Sequence, residues 1–136
     1  MTLPYKNYNA NPKGRNTTDC VIRALTMASG KPYETVLQEL TAIAVKTGYF
    51  INDKHNYEKW LESNGFTKMK QPRDAYGYKY TISQIRLLCD ASSIVISCAH
   101  HLTCVKDGVL IDTWNCGNKT IGNYYVRKEQ TKWTQL

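Results

Sequence analysis

The chain has 136 residues and a mass of 15.6 kDa, with 42% hydrophobic and 21% charged residues. That is the size and composition of one globular domain, long enough to bury roughly 65–70% of its unfolded surface without disulfides or metals. Lys and Arg number 18 against 11 Asp and Glu, a net charge of +7, which excludes an acidic solvating tail and suits an anionic partner. No apolar run approaches the roughly 20 residues of a membrane-spanning helix. Residues 1–11 lack the apolar centre of a signal peptide. A single domain over residues 1–136, cytoplasmic and without membrane association, is expected.

Residues 1–17 read as an irregular arm. Val21, Ile22, Leu25 and Ala28 then recur at helical spacing, with Thr17, Thr18 and Asp19 offering N-cap oxygens and Gly30 a stop. Pro32 opens a second helix with the stripe Val36, Leu37, Leu40, Ile43 and Ala44, closed by Gly48. A third helix fits 54–64, with Tyr57, Trp60 and Leu61 on one face. Residues 71–80 read as a loop, and Thr81 caps a short helix with Ile82, Ile85 and Leu88 inward. Strands follow at 93–98, 101–107 and 109–114, the last two joined at Asp107–Gly108, a strong hairpin signal; Tyr124 to Val126 suggest one more. Helices first and strands afterwards predict an α+β domain, its N-terminal helices packed on a C-terminal antiparallel sheet.

Five cysteines occur, Cys20, Cys89, Cys98, Cys104 and Cys116. An odd number at irregular spacing argues against a disulfide framework. Cys20 stands at the expected start of the first helix, where the positive end of the dipole and unpaired N–H groups favour a thiolate. Asp19 beside it opposes this unless its carboxylate is occupied as a cap. In the hairpin turning at Asp107–Gly108, cross-strand residue numbers sum to 215. Thr103 then faces Asp112, and His101 faces Trp114. His101 and Asp112 become diagonal neighbours on one face, their Cβ atoms about 7–8 Å apart. An acid beside an imidazole fixes its tautomer and stabilises the imidazolium. Trp114 on that face would shield the pair from water.

The order Cys20, His101, Asp112, with the cysteine opening a helix and the others on a later hairpin, resembles the papain-like cysteine peptidases. Residues 112–115, Asp-Thr-Trp-Asn, are similar to the Asn-Ser-Trp-Gly segment of that superfamily. The aspartate and the small size are closer to the bacteriocin-leader (double-glycine) peptidases, and to small uncharacterised proteins of the superfamily in bacteria and phages. The resemblance spans residues 16–116, carried by about twenty positions such as Asp19 to Ala24, His101 to Thr103 and Asp112 to Trp114. It implies a papain-like fold and a Cys20–His101–Asp112 triad, in a cysteine peptidase or amidase that needs no cofactor and acts on a peptide or protein; the positive charge suits an acidic one. The superfamily carries a Gln about six residues before the cysteine as oxyanion donor, where this chain has Gly14. Asn16 is the nearest amide, and Asn11 the next.

Other readings stay open. The same triad serves transamidation, deamidation and acyl transfer, or persists as a relict in a binding domain. Cys98, His100, Cys104 and Cys116 are soft ligands. They lack a Cys-x2–4-Cys knuckle, and alternate strand positions do not converge, so no metal is expected. His100 competes with His101 but points to the opposite face if 98–106 is one strand. His55 reads as a solvated helix-end residue. Residues 66–86 mix Lys68, Lys70, Arg73, Lys79 and Arg86 with Phe66, Tyr76, Tyr78 and Tyr80, a pattern that suits nucleic acid or another anion.

Overall fold

A computed structural model describes residues 3–127, so residues 1–2 and 128–136 of the expected domain lie outside the described residues. The elements are β1 (Tyr5–Asn7), α1 (Cys20–Ser29), α2 (Tyr33–Thr47), α3 (Lys54–Ser63), β2 (Thr67–Met69), a 3-10 helix (Ile82–Leu87), β3 (Ser93–Cys98), β4 (His101–Lys106), β5 (Val109–Asp112) and β6 (Tyr124–Arg127). The fold is α+β. No helix among the described residues is long and apolar enough to cross a membrane.

The helices begin and end where local chemistry dictates. Gly30 and Gly48 close α1 and α2 at φ of 78° and 80°, the left-handed conformation glycine adopts without strain. Asp53 caps α3 through a 2.8 Å bond from the His55 N–H. The Thr81–Gln84 capping box starts the short helix, which is 3-10 rather than α, with Ile82 and Ile85 buried and Leu88 closing it half-buried. The α2 stripe is narrower than its spacing suggests: Val36 and Leu40 are buried, whereas Leu37 lies at the surface and Ile43 and Ala44 are only half-buried.

The sheet has six strands in the order β1-β5-β4-β3-β6-β2. It is mixed rather than antiparallel, because β1 pairs in parallel with β5, Tyr5 opposite Leu110 and Asn7 opposite Asp112. β1 falls in the arm read as irregular. Three residues, two of them exposed, carry no periodicity, and only the bare edge of β5 makes them a strand. β2 is equally short and wholly exposed, and pairs with β6 at the opposite edge.

Both faces of the sheet are covered. Val95, Leu102, Cys104 and Tyr125 join the apolar faces of α1, α2 and α3 in one core. Ile94, Ile96, Val105, Leu110 and Tyr124 join Leu3, Ile82, Ile85, Cys116 and Ile121 in another. Burial on two sides explains why Ile94–Val95–Ile96 is a continuous apolar run rather than an alternating one.

Two turns set the geometry of the site. Asp107 and Gly108 both take positive φ, 49° and 79°, as a type I′ turn demands. Lys106 therefore pairs with Val109 and Cys104 with Ile111, the expected register. Residues 98–106 are not one strand. The chain reverses at Ala99 and His100, Cys98 pairs with His101, and His100 sits exposed in the turn at φ 57°. β5 stops at Asp112 rather than running to Trp114, because the Asp112 carboxylate accepts the Thr113 N–H at 2.7 Å and bends the chain.

Candidate active site

Cys20 is the first residue of α1 and half-buried. It borders an open cavity of about 530 Å³ shared with Asn52, Lys54, Tyr57, His100 and His101. The N-cap Asp19 does not cap the helix with its side chain. Its Oδ1 instead accepts from Arg23 Nε at 2.8 Å, and its Oδ2 from Tyr33 Oη at 2.7 Å and Asn11 Nδ2 at 3.0 Å. The carboxylate beside the thiol is thus occupied, and it spares the dipole end of α1.

His101 opens β4, and its Nε2 donates to Asp112 Oδ2 at 2.6 Å. Their side chains are only 10% and 3% exposed. With Nε2 engaged, Nδ1 is the nitrogen left for the hydrogen bond between His101 and Cys20. The Trp114 ring lies 5.0 Å from the imidazole at 50°. Asp112 is saturated with donors: Thr103 Oγ1 reaches Oδ2 at 2.6 Å and the Cys116 thiol at 3.8 Å. Arg23 Nη1 reaches Oδ1 at 3.1 Å and the Thr113 N–H at 2.7 Å. The arm holds the backbone behind it, with the Tyr8 N–H donating to the Asp112 carbonyl at 2.9 Å.

The electrostatics follow from these contacts. Burial pushes the Cys20 thiol up, but hydrogen bonds to His101 and the Leu102 backbone, with the charges of His101 and Arg23, outweigh it and leave the pKa below the ordinary thiol value. Burial, the largest cause, pushes the Cys98 thiol up, and the Cys104 thiol to about 12. Burial opposes ionisation of Asp112 too, yet the His101 and Thr103 hydrogen bonds lower its carboxyl to about 2. Burial disfavours the imidazolium, and the hydrogen bonds to Asp112, Cys116 and Cys20 reverse this, raising the His101 pKa. A lowered thiol beside a raised imidazole is the pattern of a thiolate–imidazolium pair.

The structure therefore brings Cys20, His101, Asp112 and Trp114 together, and leaves Asn16 out. Asn16 is exposed in the loop before α1, in a different groove with Arg15 and Thr17, because that loop turns away from the cavity. Asn11 spends its amide on Asp19. The amide that does border the Cys20 cavity is Asn52, in the loop between α2 and α3. The buried Asn56 pins that loop by donating to the Tyr49 and Phe50 carbonyls at 3.0 and 2.7 Å. Sequence reasoning also passed over Arg23, although its place four residues after Asp19 is the spacing at which helical ion pairs form. Nothing short of the fold marks Asn52 or Cys116 as neighbours of the site, whereas the hairpin register already sets Thr103 opposite Asp112. His55 is solvated as expected, stacked on Tyr49 and paired with Asp53.

The four soft ligands do not converge. Cys104 lies in the helix-side core, Cys98 and Cys116 pack in the other, and His100 is exposed. A different trio, His101, Asp112 and Cys116, has its donor atoms within 4.8 Å of one another. The 2.6 Å between Nε2 and Oδ2 is a proton-sharing distance, whereas two ligands on a tetrahedral zinc stand about 3.3 Å apart. In the basic segment, Phe66 is buried in the core, while Tyr76 and Tyr78 are exposed.

Compared with known proteins, the chain matches no family model, no curated protein and no solved structure.

Proposed function

We propose that the protein is a thiol-dependent acyl-transfer enzyme of papain-like type, acting as a cysteine peptidase or amidase on a peptide or protein. The observation that carries this reading is the 2.6 Å bond between His101 and Asp112, made beside a helix-opening cysteine that borders an open cavity. The Cys20 thiolate adds to an amide carbonyl carbon. The oxyanion is held by the Cys20 N–H, which as a first-turn group has no partner within α1, and by the Asn52 amide in place of Asn16. The tetrahedral adduct collapses, the C–N bond breaks, and the leaving amine takes its proton from His101. Water then gives a proton to His101 and attacks the thioester, releasing the acid and regenerating the thiolate. An amine in place of water makes the same site a transamidase. Asp112 holds the tautomer and stabilises the imidazolium throughout.

Incubation with p-nitrophenyl acetate tests this reading. A covalent acyl adduct on Cys20 by mass spectrometry, absent in Cys20→Ala and weakened in His101→Ala, supports it. Acylation spread evenly over all the accessible cysteines rejects it.

Anion or nucleic-acid binding is a second reading, favoured by one feature. The hairpin bridged at Arg73 and Lys79 is stiffened by Asp74, whose carboxylate accepts the Tyr76 and Tyr78 N–H groups at 2.9 Å each. It holds those two rings 87% and 72% exposed among cations, as base stacking requires. Retention of a labelled single strand that depends neither on salt nor on Tyr76 and Tyr78 rejects it.

A further inference from the structure

Arg23 lies one turn into α1 and faces two carboxylates at once. Its Nε donates to Asp19 Oδ1 at 2.8 Å and its Nη1 to Asp112 Oδ1 at 3.1 Å. Its side chain is 12% exposed, against 7% and 3% for its two partners. A guanidinium is a rigid fork and spans two acceptors in fixed geometry, which a lysine cannot do. The two acceptors are the neighbours of the two reacting groups. Asp19 directly precedes Cys20, and Asp112 accepts from His101. Arg23 and Asp112 are 89 residues apart in sequence, so the contact joins the nucleophile's helix to the strand of the orienting acid.

We propose that Arg23 is a positioning residue for the Cys20–His101 pair, strapping α1 to the end of β5 and cancelling the two carboxylates that would otherwise disfavour a thiolate. This deepens the acyl-transfer reading and rests on it. The strap acts in two ways. It holds Oδ1 of Asp112, so that Oδ2 is aimed at His101 rather than rotating to another donor. It also occupies Asp19, the negative group nearest the thiol along the chain, together with Tyr33 and Asn11. Without Arg23, Asp19 would keep only the neutral donors Tyr33 and Asn11, and Asp112 would have His101 as its one charged partner among the described residues.

The titration of Cys20 reflects every element around it. Arg23 acts from α1, and His101 and the Leu102 backbone from β4, while Asp19 and Asp112 stand behind them as the partners of Arg23 and His101. Asp53, Lys54 and Tyr57 line the α3 side of the cavity, and Cys98 and His100 the turn before β4. Among these, Arg23 and Asp19 carry opposite charges, so their removal should move the thiol in opposite directions.

The test is the rate of iodoacetamide labelling at Cys20 against pH, read by mass spectrometry on the full chain, with thermal unfolding as a check on folding. For Arg23→Gln the curve should move to higher pH by about one unit, and labelling on its rising limb, below the wild-type midpoint, should fall about tenfold. Arg23→Lys, which restores charge without the fork, should regain only part of that. Asp19→Asn should move the curve to lower pH. A folded Arg23→Gln protein whose curve superimposes on wild type overturns the proposal. If Arg23→Gln does not fold, the other two variants decide, and curves for both that coincide with wild type overturn it equally. A wild-type Cys20 that labels like an ordinary thiol overturns the acyl-transfer reading itself. That outcome is distinct from a low-pH wild-type curve indifferent to Arg23.

Discussion

His101 Nε2 and Asp112 Oδ2 stand 2.6 Å apart across the β4–β5 hairpin, with both side chains sealed from water on all but a tenth of their surface. Asp112→Asn keeps an acceptor oxygen and loses the charge, so Cys20 acylation should fall only in part. Asp112→Ala removes both and strands His101, Thr103 and Arg23 without their common partner. Breaking a buried pair costs about 3–5 kcal/mol, and this variant should unfold earlier as well as acylate more slowly. Cys20→Ala should abolish acylation and leave the melting curve near wild type, since alanine suits a first helical turn. Acylation rates and melting temperatures, measured side by side, check the ranking.

Cys20 should alkylate faster than Cys89, Cys98, Cys104 and Cys116 between pH 6 and 7. An ordinary thiol, with pKa near 8.5, is only about 0.3–3% ionised there. The contrast should be sharpest with Cys104, fully buried and with its thiol pushed to about 12. Site-resolved labelling decides it, and equal labelling of the accessible cysteines rejects the nucleophile.

Stability should fall at both ends of the pH scale. The Asp112 pKa is lowered from 3.8 to about 2 by folding, so its contribution is complete above pH 4 and disappears as pH falls toward 2. Asp19 is also lowered and adds to the same acid limb. The His101 pKa is raised, so its contribution is complete below pH 6.5 and is lost as pH rises through the folded value. Melting temperatures from pH 2 to 10 should trace this dome, and Asp112→Ala should flatten both limbs.

Asn52→Ala should slow acylation by about 10²–10³, the usual loss for one oxyanion donor, without shifting the melting temperature. Asn16→Ala should change neither. The reverse result would return the donor role to the loop before α1.

Much of this protein was legible before any coordinates. Apolar spacing and the glycine stops marked α1, α2 and α3, since a helix announces itself over ten or more residues. The Asp107–Gly108 turn determined the β4–β5 register, because a type I′ turn tolerates one alignment, and that register alone put His101 beside Asp112. Tertiary structure decided what no local pattern encodes. β1 and β2 are strands because open sheet edges accept any short extended backbone, and their residues are too few and too exposed to show a period. The reversal at Ala99 and His100 falls in the gap expected between the strands at 93–98 and 101–107, whereas the face expected for His100 treated 98–106 as one strand. The oxyanion donor was sought along the chain at Asn16, whereas the cavity draws Asn52 from a loop more than 30 residues past Cys20. Arg23 showed only its helical partner Asp19. Its second acceptor, Asp112, came within reach when the sheet docked against α1, because a buried charge settles where folding gathers its counter-charges and sequence records only the near ones.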